Sequence, residues 1–387
     1  MLFNKLHNGA KAIAVLKKKN RLFVFIGFFL INIVSQSLAQ ELLNPSQIVL
    51  QIGKEGANPR NSEGSFIQLK DGRILFAYSK FEGGSGDHAS AFIAGRYSSD
   101  GGNTWTDEDE VIVSNEGGMN VMSVSFLRLQ NGSIALFYAR KNSLDDCTPY
   151  TRISHDEART WSAPVRVIND REGYFVLNND RVIQLPGGRL LVPVSLHKIA
   201  GKDFSMRGRI YCYYSDDNGR TWQGTMELPN PKEVVLQEPG LVLLKNGAIR
   251  MWLRTDRGVQ YLSESYDKGF TWEEVYPSDI ASPRSPASLK RIPKTGDLLL
   301  IWNNNDGSIE DKASFRTPLT AAVSKDEGKS WIHIKTLEND PDGFFCYTAI
   351  SFLDDKVLLG YMAANRLGLK EKIPLVLRKI SLKEFYD

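Results

Sequence analysis

Five aspartates recur in one setting along this chain. The pattern Ser-x-Asp-x-Gly-x-(Thr/Ser)-Trp is met at residues 98–105, 154–161, 215–222, 265–272 and 324–331, with Ala158 replacing the glycine once. A carboxylate in such a box can bind a divalent cation, or it can accept hydrogen bonds from the N–H groups of a tight turn. Each box repeats one carboxylate rather than the several a calcium loop uses, and its glycine supplies a turn position with positive φ. The boxes therefore read as staples in hairpin turns, with each tryptophan buried at the outer turn, and not as a catalytic site. Other reactive side chains give no cofactor pattern. Cys147, Cys212 and Cys346 have no metal-ligand spacing and leave at least one thiol unpaired, so buried free thiols are expected. The five histidines are scattered, and no P-loop, dinucleotide fingerprint or zinc motif occurs, so neither cofactor nor metal is expected.

The boxes lie at near-regular intervals of 50 to 61 residues, and a regular repeat must be interpreted before anything else. Each is preceded by an apolar run, a glycine turn and a second apolar run, as in residues 65–78, 181–193 and 241–252. A further strand leads into the box and another follows its tryptophan, which makes a four-stranded antiparallel blade. Innermost strands beginning near Ser65, Ser123, Asn179, Pro239, Ala287 and Thr348 predict an all-β, six-bladed β-propeller over residues 40–387. The last blade has no box, and residues 47–52 are expected to supply its outer strand.

The amino terminus differs in kind. Lys17, Lys18, Lys19 and Arg21 precede the short apolar run 22–34, and small residues end at Ala39. Residues 1–39 are expected to be a secretory signal peptide, too short in its apolar part for a spanning helix. The protein is then secreted or periplasmic, with no membrane association after cleavage. All six basic residues of this segment are lost with it, so the formal charge of +3 on 387 residues does not describe the mature chain. The balanced charge gives no footprint for nucleic acid.

At this point the sequence resembles the sialidase (neuraminidase) superfamily, with its aspartate-box repeats, over nearly all of the expected mature chain. The resemblance implies a glycan with a terminal acidic sugar as substrate. Sialic acid carries a carboxylate on its anomeric carbon, so guanidinium groups should clamp it and a neutral tyrosine should serve as nucleophile. Residues 343–350 are similar to the family's nucleophile strand and imply Tyr347 for that role. Gln237-Glu238 and the strand end Met251-Trp-Leu-Arg254 imply Glu238 as the base on Tyr347 and Arg254 as a clamp. Residues 315–324 imply Arg316 as a second clamp, with Arg284 in reserve. The glycine-rich loop 83–88 implies Asp87 as acid/base, with His88 able to tune or replace it. The match changes at the first arginine. The family reads Arg-Ile-Pro before its first inner strand, whereas residues 58–65 here read Asn-Pro-Arg-Asn-Ser-Glu-Gly-Ser. Arg60 is the nearest candidate, and Glu63 sits close to where the arginine belongs. Arg181 and His197 are further polar groups expected near the axis, suited to glycerol or N-acyl groups or to another sugar. Three functions stay open: a retaining exo-sialidase-like hydrolase, a uronic-acid hydrolase or lyase, and a glycan-binding propeller without catalysis.

Overall fold

The computed structural model describes residues 47–53, 58–199, 201–307, 315–368 and 372–387; the expected signal peptide lies outside them. Alternating apolar residues and turn-forming boxes give strands throughout. Helix among the described residues is confined to short 3-10 segments such as Arg366–Gly368 and Leu382–Phe385. No described helix is long and apolar enough to cross a membrane.

The strands form five sheets. The first contains Arg60–Gln68, Ile74–Glu82, Ser90–Ser98 and Glu110–Val113. Two others run from Gln237–Leu243 to Tyr276–Ala281 and from Ser288–Arg291 to Ile332–Glu338. The last holds Gly343–Leu353, Lys356–Asn365 and Leu375–Ser381, and the first strand of the chain, Ile48–Ile52, pairs antiparallel with its outer edge. The remaining sheet is nine-stranded. It consists of two antiparallel sets joined at a single parallel pair, Tyr174 with Cys147.

The expected inner strand near Asn179 is reduced to Ile183–Gln184. The residues before it turn to the neighbouring inner strand instead. The Asp180 N–H donates to the Val124 carbonyl at 3.0 Å, and the Arg181 N–H to Ser125 Oγ at 3.1 Å. Asp180 also anchors the centre of the molecule. Its carboxylate accepts from Ser65 Oγ at 3.1 Å, Lys290 Nζ at 2.7 Å and the Ile350 N–H at 3.0 Å. Inner strands of three sheets thus meet on one buried carboxylate, held in the turn before Ile183–Gln184.

The boxes are built as hydrogen-bonded turns. Asp100 accepts from the N–H groups of Asn103 and Thr104 and from the hydroxyls of Ser98 and Thr104, and Gly102 N donates to Ser98 Oγ. The same bonds from the paired hydroxyls recur at Asp156, Asp217, Asp267 and Asp326. Trp105, Trp222 and Trp272 are buried. Trp161 and Trp331 are only half-buried, contrary to the expectation; Trp161 covers Phe126 as a stacked lid with ring centroids 6.1 Å apart. All three cysteines are buried and free.

The box glycines do more than turn the chain. A Cβ on Gly102 would meet Leu358 of the last sheet at 3.0 Å, and one on Gly269 would meet Leu191 at 3.0 Å. Gly72 has a similar φ of +87° but nothing within 4 Å of its would-be Cβ. Gly72→Ala should therefore cost about 1 kcal/mol, the backbone penalty alone. Gly102→Ala should cost at least about 2 kcal/mol, because the methyl also crowds Leu358. Urea denaturation midpoints test this; equal losses at the two positions would contradict the close sheet-to-sheet contact.

Candidate active site

Inner strands carry an irregularity at one register position. Glu63, Ser123, Asp180, Glu238 and Tyr347 have φ of 56°, 64°, 61°, 48° and 58°. At four of them the strand pairing shifts across the residue, between Ser62 and Ser65, Met122 and Ser125, Gln237 and Gly240, and Cys346 and Ala349. A bulge re-aims a side chain, and a left-handed conformation at a non-glycine residue is strain of the kind that collects at functional sites. Glu63, Ser123, Glu238 and Tyr347 all line one cavity of about 100 Å³, together with Asp87 and Lys141.

Tyr347 and Glu238 come from different sheets and meet directly. The Tyr347 hydroxyl donates to Glu238 Oε1 at 3.0 Å, and Arg254 Nη1 donates to Glu238 Oε2 at 2.8 Å. Burial disfavours ionisation of Glu238, but Arg254, then Arg316, hold it below the ordinary glutamate range. Burial, followed by the charge of Glu238, pushes the Tyr347 phenol well above its usual value. The resting pair is therefore a neutral phenol beside a carboxylate, the arrangement in which the carboxylate can take the phenol's proton.

Two buried guanidinium groups lack a carboxylate partner among the described residues. Arg316 lies over the Tyr347 ring at 5.1 Å and the Phe344 ring at 4.5 Å. Its Nη1 donates to Cys346 Sγ at 2.8 Å. Burial raises the Cys346 thiol despite that neighbour, so the guanidinium meets a neutral thiol, and its charge is felt by Glu238 rather than bonded to it. Arg181 lies 5.3 Å from the Trp252 ring, and its buried Nε has no partner. Burial brings Arg181 down to about 10, with Glu238 and Asp180 opposing. Buried cations without a bonded carboxylate, grouped around Glu238, are suited to an anionic ligand.

Arg60 is engaged by acids on this chain. Its Nη1 donates to Asp87 Oδ1 at 2.5 Å and its Nη2 to Glu63 Oε2 at 3.2 Å. Surrounding atoms favour the neutral acid at Asp87, yet Arg60, then Lys141, hold it below the carboxylate range. The Asp87 side chain is still 62% exposed at the mouth of the site. His88 Nδ1 lies 3.5 Å from Lys141 Nζ, which itself donates to the Asp87 carbonyl at 2.5 Å. Burial raises Glu63, with Arg60 opposing. His197 is within electrostatic reach of Glu238 and Arg254 but is held by its own neighbours, hydrogen-bonded through Nε2 to Ser195 Oγ at 2.5 Å and through Nδ1 to the Ser205 carbonyl at 2.8 Å. Arg284, half-buried in the loop after Tyr276–Ala281, joins none of the pairs that tie the cluster together.

The structure thus brings together Tyr347, Glu238, Arg254, Arg316 and Arg181, and joins Arg60 to Asp87. Sequence reasoning passed over Lys141 and Ser123 and gave Glu63 no role. Aligning the inner strands on one another would have found two of them. Glu63-Gly-Ser-Phe66, Ser123-Val-Ser-Phe126, Glu238-Pro-Gly-Leu241 and Tyr347-Thr-Ala-Ile350 share one frame. Lys141, at the end of a second strand, carries no such signal.

Known proteins extend this description. The family model described as BNR repeat-like domain matches residues 72–360. A sialidase of Paraclostridium sordellii is 25% identical over 240 residues, covering 55% of this chain and 57% of the relative, so the match spans little more than half the relative's length. An intramolecular trans-sialidase from Ruminococcus gnavus, solved with oseltamivir carboxylate, superposes with a TM-score of 0.68 at 15% identity, covering 90% of this chain and 99% of that one. A protein of unknown function from Dyadobacter fermentans gives a TM-score of 0.68 at 19% identity, covering 86% and 98%. Likenesses at such identities carry the fold, while the family match spans most of the chain: it belongs to the BNR repeat-like domain family, within the sialidase superfamily.

Proposed function

We propose that this protein is a retaining exo-glycosidase of the sialidase type that releases a terminal acidic sugar, sialic acid or a relative of it, from a glycan. The observation that carries the reading is the Tyr347 hydroxyl held 3.0 Å from a Glu238 carboxylate that Arg254 balances. The substrate carboxylate is drawn to Arg316 and Arg254, with Arg181 adding positive potential. Tyr347 Oη attacks the anomeric carbon while its proton passes to Glu238. The glycosidic oxygen leaves with a proton from Asp87, and a tyrosyl-linked sugar remains. Water then attacks the anomeric carbon, its proton passes to Asp87, and Glu238 returns a proton to the departing Tyr347 oxygen.

Asp87 is ionised in the empty site, because Arg60 and Lys141 hold it low. A sugar seated over its exposed carboxyl would strip water from it and raise its proton affinity, which is what the acid role needs. A leader at residues 1–39 would deliver the enzyme to extracellular or periplasmic glycans. The scaffold we propose is a six-bladed ring, in which the nine-stranded sheet counts as two blades divided at the Tyr174–Cys147 pair. Supporting it, the box glycines Gly219, Gly269 and Gly328 face Thr151, Leu191 and Arg250 of the set before their own, and Gly102 faces Leu358 of the last sheet.

Three outcomes follow from the reaction. Tyr347→Phe removes only a hydroxyl, so kcat should fall by about 10³-fold or more while substrate binding changes little. Near-normal turnover by that variant on the natural substrate would refute the reading. Arg316→Lys keeps the charge but loses the planar fork, so KM should rise and kcat fall together in steady-state assays. Arg254→Gln removes the main charge that opposes the burial of Glu238. The acidic limb of the kcat/KM profile, set by protonation of that base, should then move to higher pH. An unmoved limb would take Glu238 out of the base role.

A further inference from the structure

Glu63 occupies in its sheet the register position that Tyr347 and Glu238 occupy in theirs, with φ of 56° beside 58° and 48°. It is buried, 5% exposed, and lines the same cavity as both of them. The one arginine of residues 58–65, Arg60, donates to Glu63 and Asp87. An acid thus stands in the wall of the cavity that Tyr347 lines.

Three donors converge on the two Glu63 oxygens, and the charge of Arg60 among them opposes the burial that favours the protonated acid. Arg60 Nη2 and Ser62 Oγ reach Oε2 at 3.2 and 3.0 Å, and Ser123 Oγ reaches Oε1 at 3.2 Å. Each carboxylate oxygen can accept two donors, so Oε1 retains capacity for one from a ligand. A group on the ligand that reaches this corner must donate a hydrogen bond; an anion there meets a like charge.

Because Tyr347 is read here as the group that meets the anomeric carbon, the substituents facing Glu63 are those on that carbon or its neighbour. N-acetylneuraminic acid offers a carboxylate at the first and a methylene at the second, and neither is a donor. A hexuronic acid offers hydrogen at the first and a hydroxyl at the second, and its carboxylate, on the far side of the ring oxygen, is free to reach a guanidinium. A hydrogen bond to that neighbouring hydroxyl is also one that strengthens toward the transition state of glycoside cleavage. We propose that Glu63 is the specificity-determining residue of this site, and that it selects an acidic sugar with a hydroxyl next to the anomeric carbon, of the uronic-acid class, over a 3-deoxy keto-acid sugar. The inference rests on the assignment of Tyr347 above and narrows the substrate that assignment left broad.

Binding, not turnover, tests it, so that a failure of the chemistry stays separate. The methyl thioglycosides of D-glucuronic acid and N-acetylneuraminic acid, which resist hydrolysis and lack the anomeric hydroxyl of the free sugars, are titrated calorimetrically into the protein, into Glu63→Gln and into Tyr347→Phe. The wild-type protein should prefer glucuronate by about 10-fold or more, the value of one hydrogen bond to a charged group. Glu63→Gln, the same shape without the charge, should shrink that preference by about 10-fold, partly by tighter binding of N-acetylneuraminate. Tyr347→Phe should keep the wild-type ratio. The proposal is overturned if the wild-type protein binds N-acetylneuraminate as tightly as glucuronate, if Glu63→Gln leaves the ratio unchanged, or if neither sugar binds. Wild-type turnover by Tyr347→Phe alongside a Glu63-dependent ratio would sink the reaction while leaving the specificity standing.

Discussion

A phenol is a poor nucleophile until something takes its proton, and the group that takes it must be ionised beforehand. In the reaction proposed for this protein both requirements fall on one buried contact, the Tyr347 hydroxyl against Glu238. A carboxylate in that position would be neutralised by burial were it alone, since an isolated buried charge is costly. Arg254 bonds its other oxygen and Arg316 lies close by, so the glutamate keeps its charge. The same guanidinium groups, together with Arg181, place three positive charges around the Glu238 carboxylate. In the proposed reaction, readiness of the base and attraction of an acidic sugar therefore have a common electrostatic source.

That contact joins two sheets more than a hundred residues apart in sequence, so it depends on how inner strands are held. Each bulge turns one side chain out of the ladder at the cost of a left-handed backbone, on the order of 1 kcal/mol or more for a non-glycine residue. The scaffold offsets that strain around Asp180, whose carboxylate ties Ser65, Lys290 and the Ile350 backbone. Asn179 adds bonds from its Nδ2 to the carbonyls of Gly64 and Tyr347. The aspartate boxes work at the other end of the sheets, where their glycines let neighbouring sheets approach. Chemistry and fastening are separated along each strand, so the walls of the cavity can vary while the turns stay uniform.

Much of this was legible in the sequence because it is local. A box is eight residues long, and its hydrogen bonds are contained within it, so five copies announced an all-β chain. The pairing of Ile48–Ile52 with Leu375–Ser381 was also foreseeable, because a last set without its own outer strand needs one. Tyr347, Glu238 and Arg254 were readable through resemblance, each in a short motif at a strand end. What escaped was non-local. The shortening of the strand near Asn179 follows from bonds to Val124 and Ser125 that no periodicity encodes. The retention of Arg60 by Asp87 and Glu63, and the isolation of Arg284, depend on loops whose paths only the folded chain reveals.

The central claim is that a covalent bond forms between Tyr347 Oη and the anomeric carbon of an acidic sugar. It is tested most directly by intact-mass and peptide mapping after incubation with a fluorinated, activated acidic sugar, whose glycosyl intermediate forms faster than it is hydrolysed. The account predicts one glycosyl adduct per chain, on the peptide containing Tyr347, and none when Glu238 is replaced by glutamine. An adduct on a carboxylate, or turnover of the reagent with no adduct on Tyr347 at any time, would contradict it.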